Sequence, residues 1–177
     1  MNIRAAVLVT VAFLMAACAA PRVETYRDEK PVLDLATYFN GAVDAVGIFT
    51  DRSGKVVKRF KVLIDGSWKD DVGTLVEDFT YSDGSTSRRI WTITRLDTHR
   101  YRGRAADVIG EAVGEAHGNA LRWRYVLALQ VDGKSYKVDF DDWMYLMDDE
   151  VMLNVSTMSK FGFRLGEVTL SFRKRSS

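Results

Sequence analysis

Proline is nearly missing from this chain of 177 residues, and both copies, Pro21 and Pro31, fall near its start. Proline cannot donate to a β-ladder, so the proline-free stretch from Val32 onward is open to continuous sheet. Cysteine is scarcer still, because Cys18 stands alone. No disulfide can form within the chain, and its body must be held by a core. The two histidines, His99 and His117, have no partner at the spacing of an HxH or HExxH metal site. The 25 Lys and Arg nearly cancel the 24 Asp and Glu, so bulk charge gives no support to nucleic-acid binding. Beyond Ala17 no apolar run is long enough to cross a bilayer.

What is present begins with the N-terminal run. Met1 to Arg4 carries one positive charge, Ala5 to Ala17 is apolar and ends in small residues, and Cys18 follows. This is the layout of an export signal. Leu14-Met15-Ala16-Ala17-Cys18 resembles the bacterial lipoprotein box, in which the cysteine is lipidated and becomes the mature N-terminus. Met15 stands where that box prefers leucine, with Leu14 one place earlier. Ala19, rather than Asp, follows the cysteine, which by the same resemblance directs the protein to the outer membrane. The expected organisation is a signal peptide over residues 1–17, a lipidated N-terminus and tether over 18–33, and one β-barrel domain over 34–177. Each buried methylene of an anchor contributes roughly 0.8 kcal/mol, enough in sum for stable attachment. Such an anchor, on the periplasmic face of the outer membrane, is expected to hold the domain's mouth near the bilayer.

From Phe39 onward apolar residues alternate. Along Leu121 to Val131 every odd residue is apolar and most are large, which predicts a strand with one buried face. Asp132-Gly133-Lys134 is a tight-turn signal, and Tyr136, Val138, Phe140 and Met144 continue the buried face on the return. The same reading predicts strands over 47–50, 55–64, 73–81, 86–96, 101–106, 112–117, 150–157 and 167–173, with Asp65-Gly66 as a break. A helix is expected over Asp34 to Asn40, capped by Asp34 and stopped by Gly41. Short connections at regular spacing indicate an antiparallel up-and-down meander. Closure into a lipocalin-like, calycin-type barrel of about 8–10 strands removes both edges, whereas an open sandwich does not.

Several words of this sequence are similar to one family: Tyr81-Ser82-Asp83-Gly84, Arg89-Ile90-Trp91-Thr92, Gly118 to Tyr125, Asp141-Asp142-Trp143-Met144-Tyr145, Asn154 to Gly162, and Gly166 to Leu170. In order and spacing they resemble the bacterial lipoproteins of domain of unknown function 3833, over about Tyr38 to Lys174. The resemblance implies an envelope lipoprotein of lipocalin-like shape and carries no activity.

The residues themselves offer little catalytic chemistry. No Gly-x-Ser-x-Gly elbow is present. Ser159-Lys160 lies in a stretch, 156–162, that reads as a corner between the last two strands. Gly110 to Gly114 has neither the Lys-Ser/Thr of a phosphate loop nor a following helix. Glu77-Asp78, Glu111, Glu115, Asp139, Asp141 and Asp148-Asp149-Glu150 read as solvated strand ends or outer-face groups. Asp142 differs, because it shares the inward parity of Tyr136, Val138, Phe140 and Met144. A buried carboxylate is costly unless paired. It therefore calls for a partner such as Arg89 or Arg124, or a role with ligand, unless a bulge at Asp141-Asp142 turns it outward.

The functional expectation is a non-enzymatic binding module without cofactor or metal, holding a fatty acyl chain or lipid in a barrel cavity. Its candidate lining is Trp91, Trp123, Tyr125, Tyr136, Phe140, Asp142 and Met144. The same aromatics equally suit a solid core. In that case the protein acts through its surface, with Arg122, Arg124 and Arg173-Lys174-Arg175 as the groups presented to an envelope partner.

Overall fold

Alternation decides the architecture of residues 21–131 and 133–175, which the computed structural model describes. Ten strands follow one another: β1 Gly41–Asp51, β2 Val56–Lys69, β3 Val72–Tyr81, β4 Thr86–Arg95, β5 Arg100–Arg104, β6 Ala112–His117, β7 Ala120–Val131, β8 Lys134–Leu146, β9 Val151–Lys160 and β10 Phe163–Lys174. Each pairs antiparallel with its chain neighbour, and β1 pairs with β10 from Val43↔Lys174 to Asp51↔Gly166. The sheet is thus a closed up-and-down barrel, as alternation predicts, and neither edge is left for another chain to join.

The β7–β8 register runs unbroken from Ala120↔Tyr145 to Val131↔Lys134. No bulge interrupts Asp141-Asp142, and Asp142 keeps its inward parity. Elsewhere strands outrun expectation. β2 passes straight through Asp65-Gly66, which pair with Val76 and Leu75. Glycine is needed there for clearance, because a Cβ on Gly66 would stand 1.8 Å from the Phe39 carbonyl oxygen. β1 begins at Gly41, earlier than the apolar pattern indicated. Ser156 to Lys160 continue β9, and the chain reverses at Phe161 (φ 52°) and Gly162 (φ 80°) rather than in a corner over 156–162.

The segment before β1 plugs one end of the barrel. Helix α1, Leu35–Tyr38, starts where the Asp34 carboxylate accepts the Thr37 N–H at 2.7 Å. Leu33, Leu35, Tyr38 and Phe39 are buried. Four ties hold the plug to the rim. The Leu33 N–H donates to Gly118 O at 2.8 Å, and the Tyr38 hydroxyl donates to Glu150 O at 2.9 Å. Arg95 pairs with Asp34 at 2.5 Å, and the Lys174 ammonium donates to the Thr37 carbonyl. Gly118, Glu150, Arg95 and Lys174 all belong to the same end.

Residues 21–33 are not the free tether their composition indicated. A 3₁₀ turn over Val23–Tyr26 buries Val23, and the Tyr26 ring meets Trp143 and Tyr145 edge-on at 6.1 and 5.4 Å. Gly118 accommodates it, since a Cβ there would stand 1.7 Å from Tyr26 O. The aperiodic sequence hid this docking because it uses single side chains rather than a repeating face. The expected signal, Cys18 and the start of the tether lie outside the described residues, as do Asp132 and residues 176–177.

Outside, the arginines of the surface reading are mostly engaged. Arg122 pairs with Asp141 at 2.6 Å and lies over the Trp143 ring. Arg173 pairs with Glu150, and Arg175 with Asp44. Arg124 is exposed. Such surface pairs contribute little stability each. Among the described residues, the contacts that close and plug the barrel run from Val23 to Arg175.

Gly66→Ala pushes a methyl group into backbone that cannot swing aside. The expected loss is about 1–3 kcal/mol, read as a lower urea midpoint with an unchanged slope. An unchanged midpoint would show that the plug does not press on β2.

Candidate functional site

The inward side chains of the barrel do not meet in the middle. They enclose a cavity of about 460 Å³, a volume typical of small-molecule sites. Leu35 and Phe39 of the plug floor it. At the other end it reaches Lys58, Tyr81 and Gln130, near the β1–β2, β3–β4 and β7–β8 turns. The mouth therefore lies opposite the plug, and the barrel is hollow rather than filled.

Trp91, Trp123, Tyr125, Phe140, Asp142 and Met144 all line this cavity. Tyr136 does not: it is 39% exposed, under the Lys160 ammonium at 4.9 Å. Its parity is inward, but β9 pairs with β8 only from Asp139 onward, so Tyr136 stands beyond the rim with no facing wall. Trp123 lies on a bed of two glycines. A Cβ on Gly103 or Gly114 would come within 2.4 or 2.2 Å of its indole. Trp91 meets Trp123 edge-on at 5.8 Å and Tyr125 edge-on at 5.5 Å, while Tyr125 stacks on Phe140 at 5.0 Å.

A polar belt interrupts these apolar walls. Asp142 is 6% exposed, and the buried Ser156 hydroxyl donates to it. The Tyr125 hydroxyl lies on it as well. Neither expected arginine is its dedicated partner. Arg124 points outward, and Arg89 grips Asp107 through Nε at 3.0 Å and Nη2 at 2.7 Å. Asp107 is positioned by the loop after β5, which runs along β7 through Ile109 N–H to Val126 O and Ala128 N–H to Asp107 O, both 2.8 Å. That loop fills the wall that the short β5 and β6 leave open.

Glu77 was expected in solvent, yet it projects inward between Leu75 and Phe79 of β3. Its Oε2 stands 4.0 Å from Arg89 Nη1, its side chain is 14% exposed, and the Trp91 indole touches it. An acidic residue at the inward parity of an alternating strand was the available signal. Asn154 and Ser156 are buried on β9 at the same parity and also line the cavity.

Burial sets the protonation of this belt. It pushes Glu77 up to about 7, against the pull of Arg89 and with a further push from Asp107. It pushes Asp142 up to about 7 as well, opposed by the hydrogen bonds of Ser156 and Tyr125 and by Arg89. Tyr125 is raised by burial and then by the charge of Asp142, and stays neutral. Burial works against the Arg89 charge, but the carboxylates of Glu77 and Asp107 beside it keep the guanidinium protonated.

His99 and His117 lie elsewhere, stacked on each other at 4.1 Å, with His117 Nε2 3.1 Å from Glu115. Among the described residues no three His, Cys, Asp or Glu side chains gather as metal ligands.

Two buried carboxyls with raised pKa make stability depend on pH. Unfolded, each titrates near roughly 4; folded, each titrates near 7. The folded state holds the extra protons, so stability is greatest below the lower value and falls as pH rises through the higher one. Asp142→Asn, which still accepts from Ser156, is expected to raise Tm more at about pH 8 than at about pH 5.5. Equal shifts at both would show that Asp142 is ionised throughout.

The model of the family DUF3833, a protein family of unknown function, matches residues 12–174. No curated protein matches. Among solved structures, the S-type phycobiliprotein lyase CPES from Guillardia theta aligns with a TM-score of 0.60 at 7% identity, over 89% of this chain and all (100%) of that one. A de novo designed fluorescence-activating β-barrel (TM-score 0.44, 13% identity, 81% and 99% covered) is a looser match. So is the redesigned barrel mFAP1 bound to DFHBI (0.43, 10%, 80% and 100%). The fold is that of the lipocalin-like barrels, and with a match over nearly its whole length the chain belongs to the DUF3833 family.

Proposed function

We propose that this protein is a binding module for an apolar ligand, an acyl chain or lipid, held in the barrel and tethered by a lipid on Cys18 to the periplasmic face of the outer membrane. The cavity carries the reading: about 460 Å³, walled by Trp91, Trp123, Tyr125 and Phe140, open at one end and floored at the other. Its few polar groups converge on one belt, the usual arrangement for fixing the orientation of an otherwise greasy ligand. Binding rather than catalysis is proposed because neither histidine lines the cavity and Ser156 faces a carboxyl without one.

The anchor is argued from the signal and the lone cysteine alone. Val23 and Tyr26 bring the chain to the body beside Gly118, at the plugged end. In this reading the anchor leads from the N-terminal segment that docks at the plugged end, opposite the mouth. The mouth's hairpin carries Phe161 and Phe163, 86% and 76% exposed, beside Lys160 and Arg164.

Residues 21–177, produced in cells and extracted with organic solvent, are expected to yield about one acyl-chain compound per protein by native and denaturing mass spectrometry. A protein that is clean and also takes up no fluorescent long-chain probe, whether its headgroup is acidic, neutral or cationic, would end the binding reading. Separately, labelled palmitate is expected to enter the full chain and not its Cys18→Ala variant. Label in both would remove Cys18 as the lipidation site.

A further inference from the structure

The charges around the cavity do not balance once the partners behind its lining are counted. The charged residues among its described lining are Lys58, Glu77, Arg89 and Asp142. Each cation already has an anion of its own. Lys58 pairs with Asp83 at 3.0 Å, and Arg89 is held by Asp107 through two nitrogens. Neither carboxyl has a cation of its own. Glu77 reaches Arg89 only at 4.0 Å, and Asp142 is met by the Ser156 and Tyr125 hydroxyls. The belt thus sets one guanidinium against three carboxyls: Glu77, Asp107 and Asp142. Both carboxyls, with Asp107, push the Tyr125 hydroxyl up, and Tyr125 lines the cavity with them.

The surrounding rings favour the same kind of ligand. Trp91 stands at 83° to Tyr125 and at 78° to Trp123, so faces and edges meet around the belt from different directions. A cation near the face of Trp or Tyr is attracted by the ring quadrupole, and aromatic enclosures of this kind recognise organic ammonium groups. A carboxylate headgroup gains no free cation here and meets two acids instead.

Resting on the binding reading above, we propose that the ligand's polar end is an organic ammonium, seated against Glu77 and Asp142 within the Trp91, Trp123 and Tyr125 rings, with its apolar tail toward the mouth. The ligand class is therefore a long-chain amine or an ammonium-headed lipid rather than a free fatty acid.

The groups around the two carboxyls are Arg89 and Trp91 from β4, Asp107 from the loop after β5, Tyr125 from β7, Ser156 from β9, and Asp141 beside Asp142 on β8. Arg89 stays charged and Tyr125 stays neutral near pH 7. Glu77 and Asp142 are the members of the cavity that gain charge there, so ammonium binding is expected to tighten as pH rises through that range.

The test uses residues 21–177 and three ligands with one tail: dodecyltrimethylammonium, laurate and dodecanol, each below its micelle concentration, followed by tryptophan fluorescence and calorimetry. The trimethylammonium does not titrate, so any pH dependence belongs to the protein. The expected order is ammonium tightest and laurate weakest. In the Glu77→Gln, Asp142→Asn double variant the ammonium is expected to lose about tenfold in affinity, while dodecanol stays within about twofold and reports an intact cavity. Laurate binding as well as or better than the ammonium would overturn the headgroup assignment and leave the binding reading standing. So would a double variant that keeps both ammonium and dodecanol affinity. If none of the three ligands binds, the binding reading itself falls and the headgroup assignment with it.

Discussion

Ten strands closed into a ring enclose more space than their inward side chains fill, and most of this molecule follows from that width. An eight-stranded barrel can be packed solid by its own interior residues. Here the large interior residues, Trp91, Trp123, Tyr125 and Phe140, lean on one another along the wall and leave the centre empty. A hollow barrel open at both ends would let water reach its apolar lining from two sides. The segment from Leu33 to Phe39 closes one of them, which turns a channel into a pocket.

The pocket then holds carboxyls that a filled core would be expected to exclude. Burial of Glu77 and Asp142 is tolerated because each is able to take up a proton, and because Ser156, Tyr125 and Trp91 supply hydrogen bonds to them. Replacing such groups by apolar ones of similar size commonly stabilises a protein. Their presence on facing strands of one cavity is an expense of folding that makes sense against something other than the fold.

Much of this is legible in the amino-acid sequence. The β7–β8 hairpin announces itself because its alternation is unbroken and its turn is Asp-Gly, and parity along it found Trp123, Tyr125, Phe140, Asp142 and Met144. Tyr136 was misplaced because parity says which way a side chain points and not whether a wall stands opposite. Glu77 was missed, and Arg89 was matched to the wrong acid, because their partners come from other strands and from the loop at Asp107. Gly66 read as a break when its real reason lies in Phe39, a residue distant in sequence. Local pattern set the strands, and contacts across the ring set the site.

One seam differs from the rest. Every other pairing joins a strand to its immediate successor, but β1 meets β10 only after the entire chain between them is in place. Hairpins can form as their residues appear, while the ring waits for its last member and for the loop-closure entropy of joining distant ends. A molecule that lost β10 would not be a slightly weaker barrel. It would be an open sheet with two unpaired edges and a greasy interior turned to water, the form most prone to pair with its own kind. Closure is thus decided at one seam: β10 makes the difference between a sealed vessel and an aggregating ribbon.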